Sequence, residues 1–120
     1  MSDIQMGVSE TRFAEIIWEN EPVTAAKLSE ISEKELGWKK STSYTVLKRL
    51  CGKGIFQNAD GAVTSVLSKE QFYAVRSRQF VESTFGGSLP AFIASFTQGK
   101  KLSDEEREAI RRMIDSAKEE

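Results

Sequence analysis

The chain has 120 residues, of which 39% are hydrophobic and 29% charged, and it carries a net charge of −1, one cysteine and no histidine. This composition is typical of one small soluble domain, or of one domain with an appendage, and it excludes an internal disulfide and any cysteine-rich metal site. The absence of histidine removes the commonest general base and most zinc sites. We therefore expect neither an enzyme nor a bound metal or other cofactor.

The patterns of hydropathy and charge along the chain indicate where the protein is located and what it can bind. No run approaches 18 consecutive apolar residues, and the first ten residues lack the basic and apolar regions of a signal peptide. These features predict a cytoplasmic protein without a membrane-inserted segment. The segment 38–54 has no acidic residue and carries five cations, whereas residues 1–23 have a charge balance of −4. A basic segment can attract a polyanion, and the alternative is a chance cluster on a solvated face; composition leaves both open.

The first third of the chain predicts two helices. Apolar residues at helical spacing indicate a helix over 9–20, and Pro22 prevents its continuation. A second helix is predicted over 25–36. Thr24 is expected to cap its N-terminus, and Gly37 to end it in a left-handed conformation.

A third helix and a hairpin follow. The helix is predicted to begin near Ser41, as its cap, and to end at Gly54. Two helices joined by a short turn are the helix-turn-helix pattern. Two β-prone runs, 55–59 and 62–67, flank an Asp-Gly pair that is typical of a tight hairpin. Three helices followed by a hairpin are the order of a winged-helix domain.

The rest of the chain predicts three more helices. Two capping boxes, Ser68 with Gln71 and Ser103 with Glu106, begin the first and the last of them. A pair of glycines separates the first from a short helix over 88–96. The expected fold is therefore mostly α with a small β-hairpin: a winged helix-turn-helix followed by C-terminal dimerisation helices.

These C-terminal helices carry an apolar surface that short helices cannot bury by themselves. They can pack back on the winged helix or against a second copy of the chain. We favour a second copy, because the winged helix has a core of its own. This divides the chain into a winged-helix DNA-binding domain over 7–68 and a helical dimerisation region over 69–118. The residues predicted at the dimer interface are Phe72, Phe80, Leu89, Phe92, Ile93, Phe96, Ile110, Met113 and Ile114.

The third helix separates its side chains into two faces. At about 100° per residue, the apolar side chains and Ser43 fall on one arc, which ends at Tyr44. Two cations and three hydroxyls fall on the opposite arc. Cations neutralise phosphates, and hydroxyls bond phosphates or base edges. The alternative is an ordinary amphipathic helix with solvated lysines. The residues predicted to contact DNA are Lys39, Lys40, Ser41, Thr42, Tyr44, Thr45, Lys48 and Arg49.

Three neighbouring features carry weaker signals. Cys51 falls on the apolar arc, which predicts a buried structural thiol rather than a redox sensor. Trp38 can contact the DNA backbone or pack within the turn, and the sequence does not choose between them. The expected wing tip, "NADGA", has no lysine or arginine, so its contacts with a minor groove are expected to be weak.

With these elements placed, the chain resembles the penicillinase-repressor family of winged-helix transcriptional regulators over about residues 7–115. This family includes β-lactamase, methicillin-resistance and copper-operon repressors. Each motif is weak singly, and the ordered set is more specific than any one of them. The segments that carry the resemblance are "IIWENEPVTAAKLSE", "GWKKSTSYTVLKRLCGKGI", "FGGSLPAFIASF" and "KLSDEEREAIRRMI".

The resemblance implies a homodimer that represses transcription by binding a double-stranded DNA operator. The N-terminal winged helix of each protomer then binds one half-site, and a two-fold protein binds a pseudo-palindrome. The family's DNA-contacting positions fall on Ser41, Thr42 and Thr45, with Lys40, Lys48 and Arg49 nearby.

The chain departs from the family pattern at three places. In the antibiotic-resistance branch a sensor-triggered protease cuts an Asn-Phe bond in the short dimerisation helix, which implies a membrane sensor-protease system as a partner. The matching pair here is Ser95-Phe96, whose missing asparagine argues against control by cleavage. The paired Cys-x-Cys motifs of the copper branch are absent, which argues against copper sensing. Ser41 stands where a basic residue is usual, which predicts a different operator sequence or weaker binding.

The sequence therefore predicts a dimeric, sequence-specific transcriptional repressor. The rival hypothesis is a winged-helix protein-interaction module that does not bind DNA, and the acidic first helix and weakly basic wing motivate it. A third hypothesis adds a small apolar inducer held in the phenylalanine-rich interface.

Overall fold

Six α-helices and one β-hairpin make up residues 4–117, the part of the chain that the computed structural model describes. This order of elements confirms the predicted winged helix-turn-helix followed by C-terminal helices. The elements are α1 (Val8–Asn20), α2 (Ala25–Leu36), α3 (Lys40–Gly52), β1 (Phe56–Ala59), β2 (Ala62–Ser65), α4 (Lys69–Phe85), α5 (Leu89–Thr97) and α6 (Asp104–Ser116).

The helix-turn-helix is delimited by local side-chain chemistry. The hydroxyl of Thr24 accepts a hydrogen bond from the backbone N–H of Lys27 at 3.0 Å, which confirms the predicted cap of α2. Gly37 ends α2 with φ +70°, as glycine does at a left-handed C-cap. The ring of Trp38 then packs against that of Phe13, with centroids 5.1 Å apart. Trp38 therefore packs in the turn and against the core.

The predicted cap of α3 is wrong. The helix already begins at Lys40, and the extended residue before it, Lys39, makes no side-chain cap. Ser41 lies inside the first turn, where its backbone is helical, so its hydroxyl cannot cap the helix start. This leaves the hydroxyl free to face outward. The end of the helix is as expected, with Gly54 at φ +82°.

The wing consists of two antiparallel strands of four residues each, joined by the predicted Asp-Gly turn. Asp60 and Gly61 both have positive φ, 54° and 78°, which is the conformation of a type I′ hairpin. The hairpin is also joined to the chain ahead of α2. Val23 and Val63 form an isolated bridge, with N···O distances of 3.2 and 2.7 Å. The carboxylate of Glu21 accepts hydrogen bonds from the N–H and hydroxyl of Ser65 at 2.7 and 2.9 Å.

The core of the winged helix includes the first turn of α4. The indole N–H of Trp18 donates to the carbonyl of Leu67 at 3.0 Å, and its ring packs on Phe56 and Phe72. Phe72 is fully buried. The prediction that it lies at a dimer interface is therefore wrong: α4 inserts this ring into the winged-helix core, where no partner can reach it.

The chain divides into two compact units after Arg78, within α4, whereas the sequence placed the boundary after residue 68. The N-terminal unit is the winged helix with the first half of α4. The C-terminal unit starts at Gln79 and contains the end of α4, α5 and α6. Both predicted capping boxes are confirmed, at Ser68–Gln71 and Ser103–Glu106.

Candidate nucleic-acid interface

The helix α3 presents one polar face to solvent. The predicted separation of faces is confirmed: the cations of the helix and the hydroxyls of Ser41, Thr42 and Thr45 are exposed. Ser43, Val46, Leu47 and Leu50 are buried on the opposite face. Tyr44 was placed at the end of the apolar arc, yet its side chain is 38% exposed. The ammonium of Lys40 lies 5.8 Å from the centre of the tyrosine ring, so this ring belongs to the solvent-facing surface.

Three cations of this segment have no acidic partner among the described residues. Lys39, Lys40 and Lys48 are exposed, and no carboxylate of residues 4–117 lies within salt-bridge distance of them. Arg49 differs, because its guanidinium pairs with the carboxylate of Glu10 in α1. The positive potential of the face therefore comes from its three free lysines.

The hydroxyls on this face are also available. Ser41, Thr42 and Thr45 are exposed, and none of their hydroxyls bonds another of the described residues. Elsewhere in the chain, hydroxyls such as that of Ser32 bond the carbonyl four residues earlier. Hydroxyls without such a bond can donate to phosphate oxygens or to base edges. Cations and free hydroxyls on one accessible helix face are the chemistry of a major-groove contact.

A shallow groove of about 400 Å³ separates α3 from the first strand of the wing. Its lining residues are Tyr44, Leu47, Lys48 and Cys51 of α3 and Asn58 of β1. Partial burial raises the pKa of the Cys51 thiol, which lowers its fraction of reactive thiolate. This supports the structural role predicted for that cysteine. The wing tip itself presents Asp60 and no cation, as the sequence indicated.

Except for Phe72, the predicted interface residues all lie in the C-terminal unit, where they are exposed or half-buried. None of the described residues 79–117 is buried. Leu89, Phe96, Met113 and Ile114 are at least half exposed, at 55, 50, 67 and 63%. A groove of about 330 Å³ is lined by residues of α5, α6 and their connection: Leu89, Ile93, Leu102, Arg107, Ile110, Arg111 and Ile114.

The aromatic side chains of the C-terminal unit form a separate cluster. Phe80, Phe85 and Phe92 contact one another edge-to-face at 5.6–5.9 Å, and Phe96 lies 6.1 Å from Phe92. The cluster fixes the corner between α4 and α5. The pair Ser95-Phe96 is exposed and helical.

Sequence reasoning missed two partners of the basic segment. Glu10 pairs with Arg49, and the backbone carbonyl of Gln5 accepts a hydrogen bond from the Lys53 ammonium at 2.7 Å. Both partners lie more than 35 positions away along the chain, and only the acidic balance of residues 1–23 signalled them. Within the described residues, no group of three metal-ligating side chains is brought together, and no helix is long and apolar enough to span a bilayer.

Comparison with known proteins agrees with this architecture. The model of the penicillinase repressor family matches residues 6–116. The penicillinase repressor of Bacillus licheniformis is 23% identical over 118 residues, a match that covers 95% of this chain and 92% of that protein. The family match spans both the winged helix and the C-terminal helices. The chain therefore belongs to the penicillinase repressor family of transcriptional repressors.

Proposed function

We propose that this chain represses transcription as a homodimer bound to a pseudo-palindromic DNA operator, with α3 of each protomer in the major groove. The observation that carries the proposal is the solvent-facing side of α3. It combines three unpaired lysines with three free hydroxyls and no carboxylate. A surface of this kind attracts phosphates and hydrogen-bonds the groove, whereas an acidic residue on it would repel the DNA.

The proposed contacts divide by chemistry. Lys39, Lys40 and Lys48 neutralise backbone phosphates and set the position of the helix. Ser41, Thr42 and Thr45 occupy the N-terminal half of α3, the part of a recognition helix that reaches base edges. The ring of Tyr44 lies beside the ammonium of Lys40 on the same solvent-facing side of α3.

The dimer is proposed from the exposed apolar surface of the C-terminal unit. Because none of residues 79–117 is buried, these helices cannot be stabilised by a core of their own. A second copy supplies the missing contacts, because an isologous interface joins the same surface of both protomers. Ile93, Ile110 and Ile114 line the groove between α5 and α6 and form the proposed centre of this interface.

The DNA-binding proposal is tested by fluorescence anisotropy with a duplex from upstream of the chain's own gene, titrated with salt. The wild-type protein is expected to bind this duplex more tightly than a scrambled one, with an affinity that falls steeply between 50 and 200 mM salt, the range over which counterion release acts strongly. The double variant Lys40→Glu/Lys48→Glu is expected to lose binding.

The matched control is Lys100→Glu/Lys101→Glu, which changes the net charge by the same amount in the connection between α5 and α6. It is expected to bind as the wild type does. Absence of salt-dependent binding by the folded wild-type dimer would reject the proposal and favour a module that docks a protein.

A further inference from the structure

We infer that Arg49 is a positioning residue, which fixes α3 against α1, and that it is not one of the side chains that neutralise phosphates. The inference rests on the proposed function, because it concerns how the same helix meets DNA. It revises the expectation that Arg49 contacts the operator together with Lys39, Lys40 and Lys48.

The geometry of the Glu10–Arg49 pair supports this role. The Glu10 side chain is only 18% exposed, and that of Arg49 is 50% exposed. A mostly buried carboxylate needs a partner, because burying a charge without one is costly. Glu10 also lies in the first turn of α1, where a carboxylate is favoured by the helix dipole. The carboxylate is therefore a fixed anchor, and the arginine is the side chain that reaches it.

A second contact ties down the same end of α3. Lys53, directly after the helix, donates from its ammonium to the carbonyl of Gln5 at 2.7 Å. Residues 5–10 thus hold the C-terminal end of the recognition helix at two points. Two of the five cations of the basic segment are engaged within the protein, which leaves Lys39, Lys40 and Lys48 for DNA.

This division has a measurable consequence for the salt dependence of binding. The slope of log K against log[salt] is about −0.9 for each phosphate neutralised. Three lysines per protomer give a slope of about −5 for a dimer, whereas all five cations would give about −9. Because Arg49 contacts Glu10 and no phosphate in this arrangement, loss of the arginine should leave the slope unchanged.

The experiment compares the salt titrations of wild type, Arg49→Gln and Lys48→Gln with the same operator duplex. Lys48→Gln is expected to make the slope shallower by about 2 per dimer. Arg49→Gln is expected to keep the wild-type slope and to weaken binding by about tenfold at every salt concentration, because the helix is less well placed. A slope for Arg49→Gln as shallow as that for Lys48→Gln overturns the inference.

A charge exchange provides the second readout. If the pair positions α3, Glu10→Arg/Arg49→Glu recovers at least about tenfold of the affinity that Arg49→Glu alone loses. If Arg49 contacts phosphate, the exchanged protein binds no better than Arg49→Glu.

Circular dichroism melts establish that each variant is folded. If Arg49→Gln unfolds, Glu10→Gln/Arg49→Gln replaces it, because that double variant leaves no unpaired carboxylate, and the same slope is expected. A wild type without salt-dependent binding rejects the proposed function, whereas a binding wild type with a shallower Arg49→Gln slope rejects only this inference.

Discussion

The two units of the molecule differ in whether their apolar side chains are buried or exposed. In the N-terminal unit, Phe13, Leu28, Leu50 and Phe72 are fully buried in one core. In the C-terminal unit, side chains of the same types remain on the surface, and no described residue is buried. Of the helices between residues 4 and 117, α5 is the most apolar, so a shortage of apolar residues does not explain the contrast. The first unit therefore has a core of its own, and the exposed apolar surface of the second is the basis of the proposed dimer.

The largest effect is expected for Phe72→Ala, which removes a ring from the core of the N-terminal unit. Deleting a buried phenylalanine side chain costs about 3–5 kcal/mol, so the melting temperature of the winged helix should fall sharply. Phe80→Ala, in the same helix but at a side chain that is 50% exposed, is the matched control and should cost clearly less. Equal losses in chemical denaturation would contradict the division of α4 between the units.

A smaller effect, on assembly rather than on folding, is expected for Ile114→Asp. A carboxylate at the centre of an apolar interface should weaken the dimer by at least about 2 kcal/mol, or about 30-fold in Kd. Ser116→Asp adds the same charge to α6 on the opposite side of the helix and should leave the dimer intact. Sedimentation equilibrium measures both. A monomeric wild type, or an Ile114→Asp dimer as stable as the wild type, would contradict the proposal that a second copy covers the exposed surface.

Gly87→Ala should lower the stability of the C-terminal unit by about 1–2 kcal/mol and leave that of the N-terminal unit unchanged. Gly87 has φ +85°, and an added Cβ would lie 3.2 Å from the Glu82 carboxylate, so the turn between α4 and α5 would be strained. Gly7→Ala is the control, because φ there is −71° and no atom lies within 4 Å of the added Cβ. The dimer dissociation constant should change for Gly87→Ala and not for Gly7→Ala. The reverse result would contradict the placement of this turn in the C-terminal unit that is proposed to dimerise.

The smallest effect concerns Cys51, at the edge of the N-terminal core. Burial raises its thiol pKa, so a smaller fraction is thiolate at pH 8 than in the unfolded chain. Its reaction with a chromogenic disulfide should be several-fold slower in the native protein than in urea. A native rate equal to the denatured rate would show that the N-terminal core does not cover this position.

Local chemistry made most of the fold predictable. Thr24 and Gly37 delimit α2, Asp60-Gly61 closes the hairpin, and the capping boxes begin α4 and α6, because each of these signals acts within a few residues. The two faces of α3 followed from its periodicity, since a helix wheel needs no information about the rest of the protein.

The errors concern contacts between distant parts of the chain. Phe72 was grouped with its neighbours in sequence, but Trp18 and Phe56 surround it in the core. Arg49 was grouped with the lysines of α3, but its partner is Glu10 in α1. Ser41 failed as a cap because the helix begins one residue earlier, at Lys40. For Phe72 and Arg49 the deciding neighbour is set by tertiary packing, which spacing along the sequence does not encode.

The bridge between Val23 and Val63 has a consequence for the order of folding. An isolated two-stranded hairpin is marginally stable in water. This hairpin has an additional backbone contact, between Val63 and Val23, which lies 40 positions earlier in the chain. Closing so long a loop costs chain entropy before the contact between its ends can stabilise the structure. The wing should therefore become stable only after α1, α2 and α3 have assembled, so that amide hydrogens of β2 acquire protection later than those of α3 during refolding.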